Sequence, residues 1–225
     1  MMKIKKKKVR PVAGFILLAV FILFTVLVKI VDVKAVGPQG SSVGFASLNG
    51  ALAKVFAYRE FWYKLTQAMG WLALAAAAGL GCVGLYQLVK RKSLAGVDAE
   101  ILITGVYFVI VMAVYVLFEK AVVNYRPVLE DGKLEASYPS SHTVLALCVM
   151  ASLMLLAGRY LEAKQARIAG AVCAAFMVIM TAGRLLSGVH WFTDIVGGVL
   201  ISASLISLYS RALRIFAGAV NKSQY

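Results

Sequence analysis

Acidic residues are scarce in this sequence: ten Asp and Glu stand against 24 Lys and Arg, and charged residues of both signs fill only 15% of its 225 positions. A charge content that low, with so many apolar residues, excludes an ordinary soluble core. Cysteine is also rare. Cys82, Cys148 and Cys173 all lie inside apolar runs, so they read as small packing residues rather than as a disulfide framework. With only two histidines, His142 and His190, no Cys/His cluster has metal-ligand spacing, and neither a metal nor a cofactor is expected.

Apolar sequence fills the space instead: 61% of residues are hydrophobic and the mean hydropathy is +0.84. Six runs, at about 11–33, 66–89, 99–118, 142–158, 167–186 and 194–213, each approach the ~20 residues that cross a bilayer as helix. The expected fold is all-α, a polytopic membrane helix bundle with about six transmembrane helices, forming one domain over residues 1–225. The Ala-rich, Gly-containing stretch from Leu72 to Gly84 suits close helix contact. Between the first two runs, residues 35–64 form the one long stretch that does not span. Its turn-rich entry, Gly37 to Ser42, leads to Leu48, Leu52, Val55 and Phe56 at helical spacing, then to Tyr58, Phe61, Trp62 and Tyr63. Two readings stand: an aromatic belt anchoring the second span, or an amphipathic helix in the interface that guides headgroups toward a site.

A net charge of +14 would suggest nucleic acid in a soluble chain. Its distribution points elsewhere. The basic block Lys3 to Arg10, Lys90 to Lys92, the loop Arg159 to Arg167, and Arg211, Arg214 and Lys222 all fall on one side if the spans alternate, which accounts for 15 of the 24 basic residues. The positive-inside bias makes that side cytoplasmic, with both termini inside a plasma membrane, and no nucleic-acid partner is expected. The N-terminus resembles a signal peptide, and Val33-Lys34-Ala35 is a weak cleavage site, but the longer apolar run favours an uncleaved first span. Parity then puts the 119–141 and 187–193 loops together on the outer face.

Those loops carry the chemistry. Gly183-Arg-Leu-Leu-Ser-Gly-Val-His-Trp-Phe-Thr-Asp194 sets Arg184, His190 and Asp194 between two apolar runs, where charge is costly. His190 and Asp194 are four residues apart, so a helix start there lets them touch, and a carboxylate on one ring nitrogen leaves the other free as nucleophile or base. Tyr138-Pro-Ser-Ser-His-Thr143 holds the second histidine at a helix start, where backbone N–H groups point outward as a phosphate cradle. Asn124-Tyr-Arg-Pro127 adds another arginine, whose planar fork suits phosphate oxygens. In the connecting loop, Glu130, Asp131 and Glu135 read as a solvated turn, with Asp131-Gly132 as its signal.

Arg-x5-His-x3-Asp at 184–194, Pro-Ser-Ser-His at 139–142 and Arg-Pro at 126–127 together resemble the three signature motifs of the type-2 phosphatidic acid phosphatase superfamily, integral-membrane lipid phosphatases with soluble vanadium haloperoxidase relatives. The resemblance implies that His190 attacks phosphorus to form a phosphohistidine and that Asp194 holds its ring. It implies that His142 protonates the leaving oxygen and then activates water. Arg126, Arg184 and Ser140 would hold the equatorial oxygens, and Ser141, where the family more often has glycine, would offer mainly its backbone N–H. Two positions depart from the pattern. Gly183 replaces the usual serine, and Glu119 occupies the place of a phosphate-binding lysine, with Lys120 beside it. The function expected from this resemblance is hydrolysis of the terminal phosphate of a lipid phosphate or diphosphate, of the phosphatidic acid, phosphatidylglycerol phosphate or undecaprenyl diphosphate type. A phosphotransferase to an alcohol, or a non-enzymatic transporter or binding protein for such lipids, are the rivals.

Overall fold

The computed structural model describes residues 12–130 and 132–217; the basic block 3–10, Asp131 and Lys222 lie outside them. Among the described residues the regular structure is helical apart from isolated β-bridges: α1 (Ala13–Ile30), α2 (Ala46–Val55), α3 (Glu60–Arg91), α4 (Ala99–Lys120), α5 (Ser141–Tyr160), α6 (Ala163–Leu186) and α7 (Phe192–Ala212). Six of these, all but α2, are long and apolar enough to cross a membrane, which gives the polytopic all-α bundle that the sequence predicts.

One boundary differs materially. The second span begins at Glu60 rather than near residue 66 and runs for 32 residues, about 48 Å of helix. Glu60 in the first turn pairs with Lys64 one turn on at 2.7 Å, an arrangement that favours helix at this end. Phe61, Trp62 and Tyr63 therefore belong to the helix, and the non-spanning segment ends before them.

The remaining segment before α3 is fastened to the bundle. Lys34 and Val43 form an antiparallel bridge, and α2 packs on α7 through the buried Asn49. Its Nδ2 donates to Gly44 O at 2.7 Å and to Thr193 Oγ1 at 2.9 Å. A buried amide with its donors placed this way holds α2 at one height and rotation on the bundle.

α5 and α7 form the centre. About half of each span is buried, 50% and 56%, against 6% for α3, which turns most of its apolar surface outward to lipid. α1 packs along α7, while α6 and α3 close on α5. Small residues permit the closest approaches. Tyr138, in the loop before α5, stacks on Phe21, donates to or accepts from Thr25 Oγ1 at 2.8 Å, and lies flat against Gly197 of α7. A Cβ at Gly197 would come 2.5 Å from the Tyr138 ring.

Gly197→Ala is accordingly expected to destabilise the protein by about 1–3 kcal/mol through overpacking. The thermal unfolding midpoint of purified protein in detergent measures this, and an unchanged midpoint would contradict the Tyr138–Gly197 packing.

Candidate active site

The 121–140 loop and the 187–191 turn lie at the same end of the bundle, as parity requires, and the three motif segments meet there. Asp194 joins them. It sits in the first turn of α7, fully buried, and its Oδ2 accepts the Trp191 backbone N–H at 2.9 Å, the reach-back that closes a helix N-terminus. Its Oδ1 accepts from Asn124 Nδ2 at 3.2 Å, and its backbone carbonyl accepts the Ser140 N–H at 3.0 Å. The indole N–H of Trp191 donates to Tyr125 O at 2.7 Å.

Asp194 Oδ2 is 3.7 Å from His190 Nδ1, an ion-pair distance rather than a hydrogen bond. The other ring nitrogen decides the tautomer. Arg184 Nη2 lies 3.0 Å from His190 Nε2, and a guanidinium has donors only, so Nε2 accepts and the ring proton sits on Nδ1 beside Asp194. The unshared pair of Nε2 is therefore directed away from the carboxylate. Burial, followed by the charges of Arg184 and Arg126 and the nearby ring of His142, holds His190 well below the usual histidine range, so it is neutral near pH 7.

Arg184 is the largest fully buried side chain. Besides His190 it donates from Nη1 to Thr66 Oγ1 at 3.3 Å, and its guanidinium lies 5.9 Å from the centre of the Tyr63 ring. No carboxylate among the described residues forms a salt bridge with it. Arg126 differs. It pairs with Glu130, which also accepts from Tyr63 Oη, and with Glu135 at 3.4 Å. Glu130 and Glu135 are thus counter-ions of a motif arginine, which corrects the reading of these acids as a solvated turn. Arg126 is only 12% exposed in its side chain, and a cation so far from water draws a carboxylate to it.

His142 lies in the first turn of α5, with Nδ1 buried and unpartnered and its ring against Gly70 of α3. A Cβ at Gly70 would approach His142 Cδ2 to 2.8 Å, so the glycine makes the space that the imidazole occupies. Of the two serines, expected to offer a hydroxyl (Ser140) and mainly a backbone N–H (Ser141), it is Ser141 that borders open space. Ser140 is fully buried, its hydroxyl accepting from Thr143 Oγ1 at 3.0 Å, because its backbone N–H is committed to Asp194 and the residue is turned into the bundle. Ser141, one residue on, lines the cavity beside His142.

That cavity, about 760 Å³, runs between α3, α4, α5 and the 121–140 loop. One end carries Arg126, Glu135, Ser141 and His142; the rest is walled by Trp71, Leu74, Phe108, Met112, Phe118, Leu145 and similar side chains. A smaller space of about 170 Å³ adjoins His190 from the α2 side, lined by Leu52, Phe56, Pro127 and Trp191 among others. Glu119 faces the large cavity, whereas Lys120 is exposed in an apolar groove on the outer side of α4 with Val116 and Leu117. One residue of helix is about 100° of rotation, and here that rotation separates them.

Thr66, Tyr63, Gly70 and Asn124 also shape this site, and nothing in the sequence marked the first three for it. Asn124 alone carried a local signal, being two residues before Arg126.

The PAP2 superfamily matches residues 73–215, which include every motif residue from Arg126 to Asp194. Among solved structures, the crystal structure of a transmembrane PAP2-type phosphatidylglycerolphosphate phosphatase from Bacillus subtilis is similar in fold, with a TM-score of 0.59 and 16% sequence identity over 95% of this chain and 98% of that one. No curated protein sequence matches the chain. Six spanning helices in this order, motif loops gathered at one end and a match over well over half of the sequence make the chain a member of the PAP2 superfamily.

Proposed function

We propose that this multi-pass membrane protein is a lipid phosphatase that removes the terminal phosphate of a lipid phosphate or diphosphate through a phosphohistidine on His190. The observation that carries the reading is Arg184: a fully buried guanidinium with no carboxylate partner among the described residues, 3.0 Å from the unprotonated Nε2 of a neutral histidine. A buried cation left in that state favours an anion as its partner, and a phosphate held there lies next to a nucleophile. The apolar length of the large cavity supports a lipid as the carrier of that phosphate.

In the first step Arg184 Nη2 passes from Nε2 to a phosphate oxygen, the freed Nε2 pair of His190 forms the N–P bond while the P–O bond to the lipid breaks, and His142, entering protonated, gives its proton to the departing oxygen. Nδ1–H then faces Asp194, whose charge stabilises the imidazolium-like ring. In the second step neutral His142 takes a proton from water as its oxygen attacks phosphorus, the N–P bond breaks, and phosphate leaves with both histidines restored. Arg126, Arg184 and the N-terminal N–H groups of α5 hold the equatorial oxygens, with the serine pair 140–141 beside them. Arg126 leaves Glu130 and Glu135 to do so. The two arginines supply the positive field, so the reaction is proposed to need no divalent ion. Among the described residues no group of three His, Cys, Asp or Glu has metal-site geometry.

Purified protein is expected to release inorganic phosphate, in excess EDTA, from at least one of phosphatidic acid, phosphatidylglycerol phosphate and undecaprenyl diphosphate. His190→Ala should fall to background, and Asp194→Asn should lose most activity because the ring is present but misoriented. Unaltered turnover in a folded His190→Ala protein would end the covalent mechanism, and loss in EDTA reversed by magnesium would end its metal independence.

Arg126→Met is expected to cost far more in kcat/KM than Lys120→Met, about a hundredfold or more against less than threefold, since hydrogen bonds to charged groups are worth about 1.5–3 kcal/mol each. Equal losses would show that Lys120 swings to the phosphate.

The site is proposed to open on the outer side, with both termini cytoplasmic, on the positive-inside distribution of the basic residues. Lys133→Cys, exposed in the motif loop, reports on this side, and Ser93→Cys reports on the opposite end. In a background with Cys82, Cys148 and Cys173 replaced, an impermeant thiol reagent on intact cells should label the first and spare the second. The reverse pattern would place the site on the cytoplasmic side.

A further inference from the structure

Thr66 lies on α3, outside the stretch matched by the superfamily and outside all three motifs. It is nonetheless fully buried and touches the motif arginine. Its hydroxyl has one hydrogen, directed back along its own helix to Trp62 O at 2.8 Å, with Tyr63 O at 3.1 Å. That donation leaves an oxygen lone pair, which accepts Arg184 Nη1 at 3.3 Å. The hydroxyl is thereby oriented by the helix and presents only an acceptor to the guanidinium. A guanidinium is planar, so restraining Nη1 restrains Nη2, the atom on His190 Nε2.

The methyl of Thr66 has its own partner. A Cβ at Gly183 would lie 2.7 Å from Thr66 Cγ2, closer than packed side chains tolerate, and 3.3 Å from Trp62 Cε3, a tight contact. Position 183 precedes Arg184 on α6, so the absence of a side chain there lets α3 approach until the hydroxyl reaches the arginine. Tyr63, three residues before Thr66, sits under the same guanidinium and donates to Glu130, which holds Arg126. The α3 N-terminal turns thus connect with both arginines.

We propose that Thr66 is the positioning residue of Arg184, its hydroxyl fixing the guanidinium that Nη2 aims at His190, and that Gly183 is glycine to admit it. The inference rests on the reading of Arg184 and His190 as the phosphate-handling pair, and two readouts separate the two.

The first readout is phosphate release by full-length protein from whichever of the three lipids the wild type hydrolyses fastest. T66V keeps the shape and loses the acceptor, and is expected to lower kcat/KM about tenfold or more, whereas T66S stays within about threefold of wild type. G183A should fall as well, because its Cβ meets Cγ2. G183A/T66S, which lacks that methyl and keeps the hydroxyl, should recover most of the loss, while G183A/T66A, which lacks both, should not. The second readout needs no turnover. With two histidines per chain, the ring nitrogens can be followed by 15N labelling of histidine, and the His190 Nε2 signal is expected to shift in T66V but not in T66S.

T66V matching wild type in both readouts, T66S falling as far as T66V, or G183A/T66A recovering as fully as G183A/T66S, would each overturn the proposal. A wild type that releases no phosphate, with the Nε2 signal still following the hydroxyl, would retain Thr66 as the positioning residue and remove the phosphatase reading.

Discussion

One buried carboxylate holds the functional end of this bundle together. Asp194 accepts from Asn124 in the first motif loop and from Trp191 at the start of its own helix, its carbonyl takes the Ser140 N–H from the second motif, and its side chain faces Nδ1 of His190. Each of the three hydrogen bonds answers a polar group that the membrane end of the bundle would otherwise leave unsatisfied. The same contacts fix where three segments far apart in sequence can lie. Position and chemistry are therefore not separable here: removing the carboxylate would take the acceptor from two buried donors, Asn124 Nδ2 and the Trp191 N–H, and the counter-charge from beside the nucleophile's ring.

Around that anchor the two arginines are treated differently. Arg126 is neutralised by Glu130 and Glu135 and borders the large cavity. Arg184 is enclosed, balanced by a hydroxyl, an imidazole nitrogen and an aromatic face. The first arrangement can exchange one anion for another. The second keeps a full positive charge directed at the nucleophile, at a desolvation cost that the central packing of α5 and α7 must offset. Stability and function draw on the same core, which is why Gly70, Gly183 and Gly197 each stand where a side chain of the site comes close.

Much of this was legible in the sequence because it depends on local composition. Runs of apolar residues near bilayer length specify spanning helices whatever they pack against, since backbone groups in hydrocarbon must pair within their own segment. Parity then brings the loops holding Arg126, His142 and His190 to one end, and four-residue spacing places Asp194 under His190. α3 starts six residues before its apolar run, which the sequence does not show because its aromatics suit an interface and a first helical turn equally well.

Tertiary structure decided the rest, wherever the answer depends on which direction a side chain faces. A single helical register turns Glu119 to the cavity and Lys120 to the outside, and sequence adjacency cannot separate them. Glu130 and Glu135 read as solvated acids until the loop folds back on Arg126 and removes it from water. Asn124 gains its part from a carboxylate 70 residues away, and Thr66 from an arginine 118 residues away. What the sequence by itself determined was the set of helices, the end at which the motifs meet and the residue types available there. Distances, burial and the pairing of charges arise only when distant segments close on one another, because each is a property of two surfaces and not of either alone.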